Sequence, residues 1–420
     1  MDKEKDTVSK VAPQLRFARS LNPQQYRVRG GMIHEWSDTH WQRLDRCQIE
    51  RQALAWLAKR EPEKATEKTA ASAVATAVLH LPELPLSVQN SVPVLNGTLD
   101  ISEGGARLRG SKREDALDFV LNCFFDQEAR SPLFDAFINQ ALPDVEVRSF
   151  LQEYAGYTLL SDTRHQLAAW LIGPGGTGKG TFAQIMQSLH RQTVALQLDA
   201  LDGFKLASLQ SASLVLVDET PARIDEQKIK SLISGDAIQC DIKYRDPVTI
   251  RPTAKWIVNG NALPAVSDHS TGFWRRWLIF PFTVVPTQRV PLLAETIIDR
   301  ELSGVLNWCV DGLVRLLERG AFPALPLAMS QAVAAGKQAS NNVSEWVQDC
   351  GIVVDEKCRN TRRAIYAHYS DWCYESGTRA VSARKFWERL DEALPGIEHG
   401  RESGGERTRL VNIPLPPCDR

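Results

Sequence analysis

The fold of this chain is decided by the stretch GPGGTGKGT at residues 173–181, which consists of Gly173, Pro174, Gly175, Gly176, Thr177, Gly178, Lys179, Gly180 and Thr181. An apolar run at residues 167–172 precedes it, and a segment of helical character follows. In such a strand–turn–helix, backbone N–H groups surround phosphates, the positive end of the helix faces them, and Lys179 supplies a mobile cation. The stretch therefore predicts a phosphate-binding loop (P-loop) and a chain that hydrolyses a nucleoside triphosphate.

Length and composition limit the remaining possibilities. At 420 residues, two or three domains are expected. Lys plus Arg number 50 and Asp plus Glu 51, so any nucleic-acid surface must be a local stripe. The eight cysteines include no Cys-x-x-Cys pair with which a zinc site begins, and a reduced cytosol suits them. No run approaches the roughly 18 apolar residues of a membrane span, so we expect a cytoplasmic protein without membrane contact.

The apolar pattern predicts an α/β protein. Between residues 165 and 282, short β-rich runs alternate with helical stretches, which indicates a parallel sheet covered by helices. Before it we expect short strands at 26–41, an Ala-rich helical segment at about 49–80 interrupted at Glu61-Pro62, and a strand-like run at 94–101. Helical spacing is also present within 115–160, where Leu117, Val120, Leu121 and Phe124 form the first group. Residues 334–342 suggest a linker.

Two carboxylates follow a buried-strand run at residues 214–217. Asp218 and Glu219 would then stand where the carboxyl edge of the sheet meets the P-loop. We expect Asp218 to hold Mg²⁺ through water and Glu219 to polarise the attacking water. An ordinary acidic strand end is the alternative.

Two further segments have the residue types of a nucleotide site. A strand at 256–258 leads into Asn259-Gly260-Asn261, and an Asn at such a strand end can bind both the γ-phosphate and the lytic water, although a turn also favours Asn. Arg275 and Arg276 precede the strand run at 278–282, which suits an arginine finger acting across a subunit boundary or a surface ion pair. Residues 241–247, which include Lys243 and Arg245, could form a loop that contacts a nucleic-acid backbone or a solvated charged hairpin.

In this order the residues resemble the superfamily 3 helicase domain of phage and plasmid primase-helicases, a group that includes the poxvirus primase-helicase. The resemblance is strongest from 150 to 285 and rests on residues 173–179, Asp218-Glu219, 234–236, 261–264 and 274–276. It implies an AAA+-type ATPase using ATP and Mg²⁺, which assembles as a ring, usually a homo-hexamer, and moves 3′ to 5′ on single-stranded DNA while unwinding duplex.

The same resemblance assigns roles to single residues. Asn261 becomes the sensor, Arg276 the trans-acting finger ahead of Arg275, and Lys243 a member of the loop that points into the central channel. Gly180 stands where a Mg²⁺-ligating hydroxyl residue commonly follows the P-loop lysine. Asp218 and Thr181 are therefore the candidate metal ligands, and Thr181 has a phosphate contact as its alternative.

The C-terminal segment predicts three helices and a hairpin, the pattern of a winged helix. Arg384 and Lys385 lie on the third helix and Arg407 on the hairpin, so we expect these residues to bind DNA, with a structural or partner-binding role as the alternative. Together with the resemblance, this gives an N-terminal α+β accessory domain at 1–112, an AAA+-type ATPase domain at 113–332 and a winged-helix-like domain at 343–420.

Two other functions remain open at this stage. The loop also looks like that of nucleoside monophosphate kinases, in which Gly follows the Lys, but those enzymes usually begin near their P-loop and have no role for Asp218-Glu219 or Arg275-Arg276. A non-translocating DNA-binding ATPase, an initiator or loader, is the other. The sequence has neither a zinc-ribbon cysteine spacing nor an obvious Asp-x-Asp, so we expect primers to come from a separate primase, with other replisome proteins as partners.

Overall fold

The computed structural model describes residues 11–199, 201, 203–221, 224–240, 248–264, 266, 271–339, 341–378, 380–401 and 409–415. These residues divide into two compact units. The larger unit takes the chain up to Pro221 together with Asp225–Ala262 and Arg275–Met329, and the smaller takes Ile224, Leu263–Trp274 and the chain from Ser330 onward. No helix in the described part of the chain is both long and apolar enough to cross a membrane.

The N-terminal part of the larger unit consists of helices and two antiparallel sheets. Its elements are α1 (Pro13–Ser20), β1 (Tyr26–Arg29), β2 (Met32–Trp36), β3 (Trp41–Arg43), α2 (Arg46–Arg60), α3 (Glu67–His80), β4 (Ser91–Val94), β5 (Gly97–Ser102) and β6 (Gly105–Arg109). Strands β1–β3 form one sheet and β4–β6 the other. The predicted strands at 26–41 and the break in the Ala-rich helix are confirmed, because a 3₁₀ turn at Pro62–Lys64 separates α2 from α3. Side-chain caps from Asp45 and Thr66 open these two helices.

The first part of the 115–160 prediction is wrong. Residues 116–130 form no α-helix, although Leu117, Val120 and Leu121 are buried as expected. Their backbone pairs with distant segments instead, for example through the Leu121 N–H, which donates to the carbonyl oxygen of Pro93 at 2.9 Å. Tertiary partners satisfy the polar backbone here, so the helical spacing is not used. Phe124 is exposed.

A five-stranded parallel sheet forms the centre of the larger unit, as the alternating pattern predicts. The strands after β6 are β7 (Ala168–Ile172), β8 (Thr193–Ala195), β9 (Leu214–Val217), β10 (Ile238–Cys240), β11 (Val248–Ile250), β12 (Lys255–Gly260) and β13 (Trp277–Pro281). The sheet has the order β13-β7-β12-β9-β8, while β10 and β11 form a separate hairpin. Strands β7, β9 and β12 are almost entirely buried, as expected for parallel strands covered on both faces.

Helices cover this sheet. They are α4 (Pro132–Ala141), α5 (Val145–Thr158), α6 (Lys179–Leu189), α7 (Gly203–Leu206), α8 (Glu226–Ser234) and α10 (Leu293–Arg319), while α9 (Thr271–Trp274) belongs mainly to the smaller unit. A buried polar contact fixes α5 against the sheet, because the hydroxyl of Tyr154 donates to the carbonyl oxygen of Trp256 at 2.6 Å. The core thereby continues from the sheet into α5 and α10.

The smaller unit contains helices and a short antiparallel sheet. Its elements are α11 (Leu327–Ala339), α12 (Asn342–Asp349), β14 (Asn360–Thr361), α13 (Arg362–Glu375), α14 (Ala383–Ala393), β15 (His399–Arg401) and β16 (Arg409–Val411), and the sheet order is β14-β16-β15. The prediction of a linker at 334–342 is wrong over residues 334–339. The helix α11 continues there, because its Ala-rich sequence favours helix. The side chains of Thr361 and Ser382 cap the N-termini of α13 and α14.

Candidate nucleotide-binding site

The predicted P-loop joins β7 to α6, so the strand before it and the helix after it lie where the sequence predicts them. Gly173 has a φ of +147°, and a Cβ at this position would lie 1.8 Å from the carbonyl oxygen of Phe282. Only glycine therefore allows the loop to leave β7 alongside the end of β13. The loop is closed on itself by the hydroxyl of Thr177, which donates to the carbonyl oxygen of Pro174 at 3.0 Å.

Lys179 lies inside this loop. Its Nζ donates to the carbonyl oxygens of Gly173 at 2.6 Å and Pro174 at 2.8 Å, and the residue is 8% exposed. Burial lowers the pKa of the Lys179 ammonium. The two carbonyls hold the cation at the place where an anion can replace them as its partner.

A cavity of about 560 Å³ opens in front of the P-loop. One half is polar and is lined by Gly176, Thr177, Gly178, Lys179, Gly180, Thr181, Asp218 and Asn259. The other half is largely apolar, with the amides of Gln140 and Gln288 and the guanidinium of Arg289 among Phe137, Ala141, Val284, Pro286, Val290 and Leu293. A glycine-rich loop at a helix N-terminus, together with apolar side chains that line the same cavity, offers the chemistry that a nucleoside phosphate needs.

Asp218 and Asn259 enter the polar half from neighbouring strands. Val217 pairs with Val258, so the next residues, Asp218 and Asn259, follow at the same level on β9 and β12. The side chain of Asn259 is more than nine-tenths buried, and its Oδ1 has no hydrogen-bond partner among the described residues. An unpaired buried amide oxygen costs free energy unless a ligand or water satisfies it.

Asn261 is placed differently from the expected sensor. It is exposed in the bend beyond β12 and does not line the cavity, whereas Asn259 does. Both residues stand in the stretch that the sequence singles out. Only Gly260, the last residue of β12, lies between them, and the register of β12 against β9 brings Asn259 level with Asp218.

Glu219 also lies outside the P-loop cavity. It lines a second cavity of about 520 Å³, which shares Asp218 with the first and includes Asp199 and Lys205. The next residue, Thr220, connects three strands: the Trp170 indole N–H donates to its Oγ1 at 3.1 Å, and its hydroxyl donates to the Asn259 carbonyl oxygen at 3.1 Å. Sequence analysis did not identify Thr220, although a hydroxyl residue directly after two carboxylates was the available signal.

Arg275 and Arg276 lie at the opposite edge of the sheet from the P-loop. The Ala168 N–H, at the start of β7, donates to the carbonyl oxygen of Arg276 at 2.8 Å, whereas the P-loop follows the end of β7. Five residues of strand span about 16 Å. The Arg276 Nε donates to Ser234 Oγ at 3.0 Å. Burial and the neighbouring Arg275 lower the pKa of Arg276, while Asp236 raises it.

The predicted DNA-binding residues fall into two groups. Lys243, Arg245 and Arg407 lie outside the described residues. Arg384 and Lys385 are exposed on α14, where Arg384 pairs with Glu388 at 3.0 Å. On the same part of the smaller unit, the Arg362 guanidinium lies 4.2 Å from the ring centroid of Trp387. Trp387 is itself buried, so this part of the surface presents the cationic side chains rather than the Trp387 ring.

Comparison with known proteins finds similarity over the segment that contains these residues. A family of unknown function, DUF5906, matches residues 171–276, the segment from the end of β7 through Arg276. The chain is also similar to two solved structures of the NrS-1 C-terminal region. One apo structure has a TM-score of 0.52 at 10% identity and covers 96% of this chain and 100% of its own, and an A-form apo structure has a TM-score of 0.51 at 9% identity, covering 91% and 93%. At these identities the similarity shows a shared fold.

Proposed function

We propose that this protein binds a nucleoside triphosphate in the P-loop cavity and hydrolyses it to act on DNA. The observation that carries the proposal is the convergence of Lys179, Asp218 and Asn259 on one cavity that apolar side chains also line. These residues supply a cation for the phosphates, a carboxylate for a metal and a neutral polar group for the lytic water. Phosphoryl transfer requires mainly positioning and charge stabilisation of this kind.

The residues at the cavity fit ATP with Mg²⁺. Asp218 lines the polar half, and Thr181, one place after Gly180, lines it as well, so the two are the candidate ligands. The metal would neutralise charge on the β- and γ-phosphates. The unpaired Oδ1 of Asn259 is an acceptor that suits a water molecule beside the γ-phosphate.

The proposed biological role is that of a DNA helicase in the replication of a phage, plasmid or mobile element. Three things support it: the motif resemblance to superfamily 3 helicases, the shared fold with the NrS-1 C-terminal region, and the exposed Arg384 and Lys385 on the smaller unit. Arg276 is too far from its own P-loop to serve it, which is what a finger acting on a neighbouring subunit requires. The proposal therefore includes a homo-oligomeric ring, with a separate primase as partner.

The decisive experiment measures ATP hydrolysis by the purified protein with and without single-stranded DNA, with Lys179→Ala as the blank. Hydrolysis that DNA stimulates and Lys179→Ala abolishes supports the DNA-coupled ATPase. Strand displacement on a forked duplex then separates a helicase from a loader, because a loader hydrolyses ATP and binds DNA without displacing strands. Turnover indifferent to DNA but accelerated by a nucleoside monophosphate would favour a kinase.

A further inference from the structure

The connection between β13 and α10 brings a second cation to the P-loop cavity. Arg289 lies in this connection and lines the cavity together with Gln288 and Val290. Sequence analysis did not single it out, because no motif surrounds it.

The Arg289 guanidinium lies next to the P-loop backbone. A Cβ built on Gly176 would lie 2.9 Å from Arg289 Nη2, so the guanidinium is in close contact with the backbone of the loop. Gly176 also has a φ of +82°, a conformation that side chains rarely adopt. Glycine at this position therefore permits the loop conformation and also leaves space for the Arg289 guanidinium.

Among the described residues, Arg289 makes no hydrogen bond and no ion pair, and it is exposed to solvent. Around the cavity the described charged side chains are Lys179, Arg289 and Asp218, so cations exceed carboxylates there. A guanidinium has five donors in a planar fork that matches phosphate oxygens. Its natural partner at this place is an anion bound in the loop.

We propose that Arg289 binds the polyphosphate of the nucleotide held by the P-loop of its own subunit. The inference rests on the proposed function, since it requires a nucleotide in this cavity. The two arginines differ in position, because Arg289 lies beside the P-loop of its own subunit and Arg276 lies at the far edge of the sheet. An arginine supplied in cis has precedent in phosphoryl-transfer enzymes.

The test is a titration of the full chain with a fluorescent ATP analogue in the presence of Mg²⁺. The variants are Arg289→Ala, Arg289→Lys and Lys179→Ala, and Arg300→Ala serves as a matched control because Arg300 is an exposed arginine of α10 outside the cavity. Thermal unfolding without nucleotide checks that each variant is folded.

We expect Arg289→Ala to weaken binding by about tenfold to a hundredfold, the range for a charge-assisted contact. Arg289→Lys should retain part of the affinity, because lysine keeps the charge and loses the fork, and Arg300→Ala should bind as the wild type does. Wild-type binding with unchanged affinity in Arg289→Ala would overturn this inference alone. Absence of binding by the wild type would overturn the proposed function, and this inference with it.

Discussion

The Nζ of Lys179 donates a hydrogen bond to the carbonyl oxygen of Gly173 at 2.6 Å, so the cation of the P-loop is held by the loop that it serves. Gly173 itself is fixed beside Phe282 by a contact that allows no side chain. The loop is thus held in place by β7 and β13, and the hydrogen-bond partners of the Lys179 ammonium belong to the loop itself.

Replacing Lys179 tests this arrangement. Lys179→Ala should reduce ATP hydrolysis by about 100-fold or more, because the cation that stabilises charge on the transferred phosphate is lost. Stability should change little, since the hydrogen bonds that the Lys179 Nζ makes within the described residues are to its own loop. Steady-state hydrolysis and thermal unfolding measure the two effects, with Lys68→Ala on the exposed face of α3 as control. Hydrolysis equal in both variants would contradict the site assignment.

Asn259 and Asn261 form a matched pair, because they are chemically identical and two residues apart. Asn259→Ala should lower kcat by about 100-fold through loss of a group that positions the lytic water. Asn261→Ala should leave kcat near the wild-type value, since Asn261 is exposed beyond the strand. Single-turnover hydrolysis at saturating ATP makes the comparison. The opposite ranking would restore Asn261 as the sensor.

Arg276 should act on a neighbouring subunit. Arg276→Ala is expected to lower hydrolysis by about 1000-fold while nucleotide binding persists, and mixing it with Lys179→Ala subunits should restore part of the activity through hybrid interfaces. Ser234→Ala controls for a structural role, because it removes the partner of Arg276 Nε without removing the cation. If mixed rings form but show no recovery at any ratio, or if Ser234→Ala causes the same loss, the assignment in trans fails.

Lys255 makes stability depend on pH. It lies in the core, where its Nζ donates to the carbonyl oxygens of Leu160 and Thr253, and burial lowers its pKa to about 7, with Asp162 raising it and Arg164 lowering it. The unfolded chain binds a proton at Lys255 up to about pH 10.4, so between pH 7 and that value the unfolded state holds more protons. The free energy of unfolding contributed by this group therefore rises with pH, by at most about 1.4 kcal/mol per pH unit.

Urea unfolding between pH 7 and 9 measures this contribution. Lys255→Met should be less pH-dependent than the wild type over this range, because methionine fills the space without a titrating group. The buried thiols of Cys123 and Cys309 have a raised pKa, so they lower the free energy of unfolding as the pH rises towards 9. This contribution is the same in both proteins and cancels in the comparison. Equal slopes in the two proteins would show that Lys255 remains charged in the folded state.

The exposed cations of α14 should contribute to DNA binding. Arg384→Ala combined with Lys385→Ala should weaken binding of a single-stranded oligonucleotide and reduce the slope of log K against log salt by roughly 1.4, the value for two phosphate contacts. Fluorescence anisotropy at several salt concentrations measures both quantities. Lys357→Ala, an exposed lysine elsewhere in the smaller unit, is the control. An unchanged slope would assign α14 a structural or partner-binding role.

Much of the larger unit follows from local sequence. The buried runs at β7, β9, β12 and β13 and the helical stretches between them predict a parallel sheet, because apolar runs of this length are stable only when covered on both faces. The helix predicted at residues 116–123 is absent because of contacts with distant parts of the chain. The apolar spacing there suits a helix, but the backbone hydrogen-bonds to distant segments such as Pro93. Local apolar spacing does not predict such partners.

The sequence by itself determined the strand, loop and helix around residues 173–181 and the carboxylate after β9, since both depend on residue types at short spacing along one strand–loop connection. Only the tertiary structure decided which asparagine reaches the cavity, which edge of the sheet holds Arg276, and that Arg289 lies against Gly176. These outcomes depend on strand register and on the approach of segments more than 100 residues apart. They are therefore properties of packing, which spacing along the chain does not encode.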